Sequence, residues 1–310
     1  KELKKTKYFD PTYAKKDRSF DETVKLIGET IQDSVDYHQI ADVEVGSFLS
    51  GGVDSSYIAS TVKPMKTYSV GFEVGGFDET TFSKDLCDIL HMSNAKKEIS
   101  SDEFFDALPE VQYHSDEPHA NLSAVPLYYL SQLAAKDVKV VLSGEGADDL
   151  LGSFPFFKNW KGDYKSLDTA IQDRLKEIVV MSDVIAKSMK MEYIAPFHDE
   201  RVKQEILSIP MQERMKEEGE IKTKYPLRKS YEGILPQICI TRPQTMAFTG
   251  SGIYETIKSI GNEISDEEFL TSCKDIFQFR NKFEYALFKI YNKNFEFKQE
   301  EKGRMCTLWK

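Results

Sequence analysis

Cysteine is scarce: the 310 residues hold four, Cys87, Cys239, Cys273 and Cys306, far apart and with no C-x-x-C pair. That spacing excludes a local zinc knuckle and a secreted disulfide framework, and it points to a reducing cytoplasm. Histidine is almost as rare, at five residues. His91, His114, His119 and His198 form no metal-ligand spacing and read as surface or packing residues. No apolar run approaches the ~20 residues of a membrane span. The opening KELKKTKYFDPTY is basic but lacks the apolar centre of a signal peptide. A basic excess is missing as well. The formal net charge is -10, and the lysine-rich stretches at Lys1 to Lys7 and Lys222 to Lys229 are short and interrupted. Such a chain repels polyanions, so a nucleic-acid partner is not expected. Without a basic track, Tyr128-Tyr129 and the aromatics from Phe154 to Trp160 read as packing groups rather than base platforms.

What the chain does have is 40% hydrophobic content, enough to form a core without disulfides or metal. Val24, Ile27, Ile31 and Val35 recur at helical spacing between Phe20 and Ile40. The period then drops to two at Val43, Val45 and Leu49, again at Tyr68, Val70 and Phe72, and a further strand is expected at Ala95 to Ile99. Val138 to Leu142 is a compact apolar strand. Helical patterns fall between these runs, at Thr80 to His91, Phe104 to Tyr113 and Val125 to Ala135. Alternating strands and helices predict an α/β fold, a parallel sheet with helices on both faces and ligands beyond the carboxyl ends of the strands. After about Ser153 the alternation stops and helical patterns dominate. The expected organisation is a lead segment at 1–19, an α/β core at 20–152 and a mainly helical subdomain at 153–310, with a boundary near Gly152 to Lys165.

Two glycine-bearing motifs sit at expected strand ends. Ser50-Gly51-Gly52-Val53-Asp54-Ser55-Ser56 follows a strand and opens a helix, so its backbone N–H groups can line an anion site. Gly51 and Gly52 allow close approach of phosphate oxygens, Ser50 and Ser55 add hydroxyls, and Asp54 can hold magnesium. The lysine and spacing of the kinase-type phosphate loop are absent. The second motif, Ser143-Gly144-Glu145-Gly146-Ala147-Asp148-Asp149, carries three carboxylates to the same sheet edge. Carboxylates near a triphosphate need cations, so Asp54 and Asp148 imply magnesium together with ATP.

FLSGGVDSS, then Tyr68-Ser69-Val70-Gly71-Phe72, Phe77-Asp78-Glu79, Asp116-Glu117-Pro118 and LSGEGADD occur in the order of one family. The chain resembles the C-terminal synthetase domain of glutamine-hydrolysing asparagine synthetases, from about Tyr8 to Ser251. That resemblance implies a PP-loop ATP pyrophosphatase fold of the adenine nucleotide alpha hydrolase type. By position it places Leu49 and Val70 at the adenosine, and Ser143 and Gly144 by the nucleotide and α-phosphate. It also assigns Asp54 and Asp148 to magnesium–pyrophosphate, and Glu145 to the active site. Glu192, Arg242 and Gln244 are the matching catalytic positions in the helical half. Two residues depart from the family pattern: Ile194 stands where it has arginine, and Gln244 where it has lysine. Arg242, Lys229, Lys224 and Lys222 are the cations available to compensate.

The resemblance further implies ATP and Mg2+ as cofactors, aspartate or another small carboxylate as substrate, and ammonia as the amine. A separate or missing glutaminase domain would supply the ammonia, since none precedes Lys1, and a homodimer is compatible with the family. The alternatives are an amide or lactam synthetase with another substrate, and a degenerate ATP-binding protein.

Overall fold

The computed structural model describes residues 4, 6, 13–62, 66–73, 79–115, 121–177, 181–219, 221, 223–242, 259–275 and 279–294. In chain order the first elements are α1 (Phe20–His38), β1 (Val45–Phe48), α2 (Val53–Thr61), β2 (Lys66–Phe72), α3 (Glu79–Leu90) and β3 (Ser93–Ile99). There follow α4 (Ser101–His114), α5 (Ala124–Ala134), β4 (Val140–Leu142), α6 (Ala147–Leu150), α7 (Pro155–Lys158), α8 (Tyr164–Glu177), α9 (Met181–Ser188) and β5 (Glu192–Ile194). A 3-10 turn at Pro196–His198 leads to α10 (Glu200–Leu207), α11 (Met211–Arg214), α12 (Tyr225–Ser230) and α13 (Gln237–Thr241), with later helices at Asp266–Asp275 and Lys282–Asn294. Contacts divide the chain into two compact units. A helical unit comprises Lys1–Tyr37, Glu145–Glu177 and Ala195–Pro243; a sheet unit comprises His38–Gly144, Ile178–Ile194 and Gln244–Lys310.

The sheet unit is built on five parallel strands in the order β3-β2-β1-β4-β5. Ser47 of β1 lies opposite Thr67 on one side and Leu142 on the other. The alternation at Tyr68, Val70 and Phe72 marks one face of β2, yet Thr67, Tyr68 and Ser69 are exposed by only 0, 0 and 2%. Successive side chains point to opposite faces, so both faces are covered. The polar face is satisfied locally. Thr67 Oγ1 donates to Ser93 O at 2.8 Å, Asn94 Nδ2 donates to Ser69 Oγ at 2.9 Å, and Ser69 Oγ donates to Leu49 O at 2.6 Å. An apolar cluster of the described residues includes Phe104, Leu108 and Val111 of α4, Val125 of α5, Ile185 of α9 and Leu287 of the last helix. Ser100 and Glu103 start α4 with a reciprocal capping box.

Helical patterning was expected beyond residue 153, but Glu192–Ile194 returns to the sheet as β5, pairing Val140 with Glu192 and Leu142 with Ile194. Three residues are too few for alternation to be visible, and Pro196 follows at once.

In the helical unit, Ile27, Ile31 and Val35 form the buried stripe of α1. Arg214 is fully buried and joins several elements. It pairs with Asp168 of α8 and donates to Leu150 O at 2.8 Å and to Ile209 O at 3.2 Å. Lys15 reaches the same Asp168 at 2.7 Å. A buried guanidinium is tolerated only when its charge and donors are met in this way. The expected boundary near Gly152 falls inside this unit, where Ser153 Oγ donates back to Asp148.

Candidate functional site

In the sheet unit, β1 runs out at Leu49, whose N–H donates to Tyr68 O at 2.9 Å and whose side chain is buried. The next residues form a knot. Ser55 Oγ accepts from Ser50 N–H at 3.1 Å, lies 3.0 Å from Ser50 Oγ, and donates to Gly52 O at 3.2 Å. Ser50 and Ser55 therefore shape the loop as well as lining it. Gly51 has φ +75, and a Cβ there would stand 2.7 Å from Phe82 Cβ. Both conformation and space demand glycine. Gly52 is the N-cap of α2 and supplies no side-chain cap to the first turn of the helix. Asp54 lies in that first turn, with its Oδ1 buried.

The end of β4 meets this turn directly. Ser143 N–H donates to Ile194 O at 2.9 Å, and a Cβ on Gly144 would lie 2.6 Å from Ser55 N and 2.7 Å from Asp54 C. The second motif thus begins packed backbone to backbone on the first. Val70, half-buried on β2 opposite Lys97, completes the set. The sheet unit accordingly gathers Leu49, Ser50, Gly51, Gly52, Asp54, Ser55, Ser143 and Gly144 at the carboxyl ends of β1 and β4, with Val70 on the neighbouring strand. It does not bring Glu192 to them. Glu192 opens β5 opposite Val140, the first residue of β4, and its side chain is exposed at the amino ends of the strands.

Glu145 and the rest of the second motif belong to the helical unit. Gly146 has φ +98 and caps α6. Asp148 Oδ1 lies 2.9 Å from Lys224 Nζ and accepts from Ser153 Oγ. Lys224 is 2% exposed and left-handed at φ +57, a conformation that costs a side-chain-bearing residue about 1–2 kcal/mol. Arg228 holds this turn: its Nε donates to Thr223 O at 2.9 Å and its Nη1 to Ile240 O at 2.5 Å. A cavity of about 140 Å³ opens beside the pair, lined among others by Ser153, Lys158, Glu217 and Lys224. Asp149 is buried against Arg174, Nε to Oδ1 at 2.7 Å. Burial nevertheless raises its pKa, opposed by Arg174. Arg242 caps α13 and is half-buried, its N–H donating to Ile238 O at 3.1 Å. Gln244 lies outside the described residues, as do Phe77-Asp78 and Asp116-Glu117-Pro118.

The sequence left Lys224 as one cation among four and His198 as a surface or packing residue. The structure singles out Lys224 by its burial beside Asp148, and sets the His198 ring against Gly146. Neither backbone conformation nor distant pairing is written in a local pattern. Among the described residues no cluster of three or more His, Cys, Asp or Glu is arranged for a metal, and no helix is long and apolar enough to cross a membrane.

A parallel sheet whose glycine-bearing loop opens a helix defines the class: an α/β protein with a glycine-bearing strand–turn–helix at the strand ends. The chain belongs to the asparagine synthase family, whose model matches residues 26–177 and 164–268. Glutamine-hydrolyzing asparagine synthetase 1 of Bacillus subtilis (strain 168) is 43% identical over 155 residues, which are 49% of this chain and 24% of the relative. Glutamine-hydrolyzing asparagine synthetase B of Escherichia coli (strain K12) is 25% identical over 269 residues, 79% of this chain and 48% of the relative. The chain therefore spans between about a quarter and a half of these relatives' lengths.

Proposed function

We propose that this chain is the ATP-consuming part of an asparagine synthetase-like amide ligase. An oxygen of the aspartate side-chain carboxylate attacks the α-phosphorus of ATP, the bond from that phosphorus to the bridging oxygen breaks, and pyrophosphate leaves. Ammonia from a glutaminase then attacks the acyl carbon, the carbon–oxygen bond to the phosphate breaks, and asparagine and AMP result. The observation that supports this best is the seat of Gly144 on the backbone of Asp54 and Ser55, which joins the two glycine motifs at one sheet edge.

In this reading Leu49 and Val70 flank the adenosine, while Ser50, Gly51, Gly52 and Ser55 cradle the departing pyrophosphate. Ser143 and Gly144 border the α-phosphate. Asp54 and Asp148 are oxygen donors suited to magnesium, which takes one or two carboxylates and completes its shell from phosphates and water. When bound, magnesium neutralises the charge on the leaving group. Lys224 adds a fixed cation beside Asp148. Glu145 takes the proton that the attacking nitrogen sheds, and Arg242 with Gln244 serves the acyl-phosphate end. The exposed Glu192 at the amino end of β5 is the weakest member of the set.

A second reading, a ligase for a different small carboxylate, is favoured by Ile194. Its half-buried apolar side chain cannot replace an arginine that would bind a carboxylate or phosphate. Both readings require Mg–ATP binding. Isothermal titration is expected to show magnesium-dependent ATP binding that Asp54→Ala weakens at least tenfold, roughly the loss of one charge-assisted contact. Equal affinity in the variant would contradict the assignment of the loop.

A further inference from the structure

We propose that Ser153 is a positioning residue for Asp148, a role that rests on the ligase reading above, in which that carboxylate serves magnesium. The end of α6 brings the two together. Gly152 has φ +63, and a Cβ on it would stand 2.5 Å from Met211 Cε, so only glycine fits the turn. The chain doubles back there: Gly152 N–H donates to Asp149 O at 3.4 Å and Ser153 N–H to Asp148 O at 3.1 Å. That pair of bonds is a Schellman ending, which sets the second residue beyond the cap beside the third residue from the end of the helix. Here those residues are Ser153 and Asp148.

Side chains that meet in such an ending are commonly both apolar. In this one they are polar and bonded to each other, Ser153 Oγ donating to Asp148 Oδ1. Ending the helix does not require that bond, because the backbone N–H groups of Gly152 and Ser153 already serve its last carbonyls. Ser153 is 5% exposed, so its hydroxyl is withdrawn from water. The acceptors it reaches among the described residues, Oδ1 and, at 3.5 Å, the main-chain O, both belong to Asp148.

The same Oδ1 lies 2.9 Å from Lys224 Nζ, which arrives from the turn before α12 and is buried. Two groups from different elements thus hold one carboxylate oxygen, and they do different things. The ammonium, a point charge on a flexible stem, supplies attraction but little direction. The short Ser153 side chain, anchored through its own N–H on Asp148 O, supplies direction. Magnesium accepts only near-octahedral donors, so a carboxylate oriented in advance binds it without first giving up its rotation. Losing an outer partner of this kind costs about tenfold to a hundredfold in metal affinity.

The first readout needs neither metal nor nucleotide. In carboxyl-carbon NMR of protein labelled at aspartate, the Asp148 signal is assigned by its loss in Asp148→Asn. It is expected to shift in Ser153→Ala and to return toward its wild-type position in Ser153→Thr, which keeps the hydroxyl. The second readout is Mn2+ binding at saturating ATP, followed by electron paramagnetic resonance. Ser153→Ala is expected to keep its melting temperature, since the backbone bonds that end α6 remain, and to weaken Mn2+ binding about tenfold. Ser153→Thr recovers most of that loss. An unmoved Asp148 signal or wild-type Mn2+ affinity in Ser153→Ala overturns the proposal. So does a fall in melting temperature without those two changes, which would make Ser153 a helix cap and nothing more. A wild-type protein that binds no Mn2+ with ATP overturns the ligase reading instead, and the carboxyl signal still decides whether Ser153 holds Asp148.

Discussion

Gly144 and Gly52 belong to the two adjoining glycine motifs and carry opposite expectations. A methyl on Gly144 would press on Ser55 N and Asp54 C, backbone atoms at 2.6 and 2.7 Å that can yield only if α2 shifts. A methyl on Gly52 would meet only Ser50 Oγ at 3.3 Å, with the backbone at an ordinary φ of -70°. Gly144→Ala is expected to cost about 1–3 kcal/mol in urea unfolding and to abolish most Mg–ATP affinity, while Gly52→Ala loses less of both. Equal tolerance at the two positions would contradict the packing of one motif on the other. Both glycines were legible in the sequence as members of phosphate-loop motifs. The steric reason for Gly144 was not, because it depends on a contact between residues some ninety apart in the chain. Lys224 illustrates the same limit: its identity is plain, but its left-handed backbone and its pairing with Asp148 exist only in the fold.

At the scale of elements, Arg228 is the clamp between α12 and α13. Its side chain, 3% exposed, donates to Thr223 O before α12 and to Ile240 O within α13. Arg228→Ala leaves those carbonyls without their donor and releases the turn that carries Lys224. The expected loss is about 3 kcal/mol in denaturant unfolding. Arg228→Lys is expected to restore little, since one ammonium cannot span both acceptors as the planar guanidinium does. Full stability in either variant would show that the clamp is dispensable. Helices and strands up to β4 were legible because most carry a run long enough to show its period, and the short β4 is wholly apolar where β5 is mixed. The exceptions follow from length and surroundings. The three residues of β5 are too few, and α2 hides its helical face because Ser55, Ser56, Tyr57, Ile58, Ala59 and Ser60 are all buried, polar and apolar alike. The strand–loop–helix context of the first motif supports the reading of α2.

At the scale of the whole molecule, local patterning revealed the parallel sheet but not the partition of the chain. Residues before 38 group with stretches beyond 145 and 195, and the strand Glu192–Ile194 belongs with the sheet unit. Such discontinuous grouping is set by long-range packing, which no window of consecutive residues records. The formal charge of -10 is compatible with the proposed nucleotide substrate because backbone N–H groups at a helix start can hold an anion without a basic surface. The proposed ligase stands on cleavage of ATP between its α- and β-phosphates by an attacking carboxylate. The most direct measurement incubates the protein with magnesium, ATP, ammonia and a panel of small acids headed by aspartate, and resolves the nucleotide products by chromatography. AMP and pyrophosphate are expected in equal amounts, formed only with a competent acid, whereas ADP and phosphate as the main products would overturn the proposed chemistry.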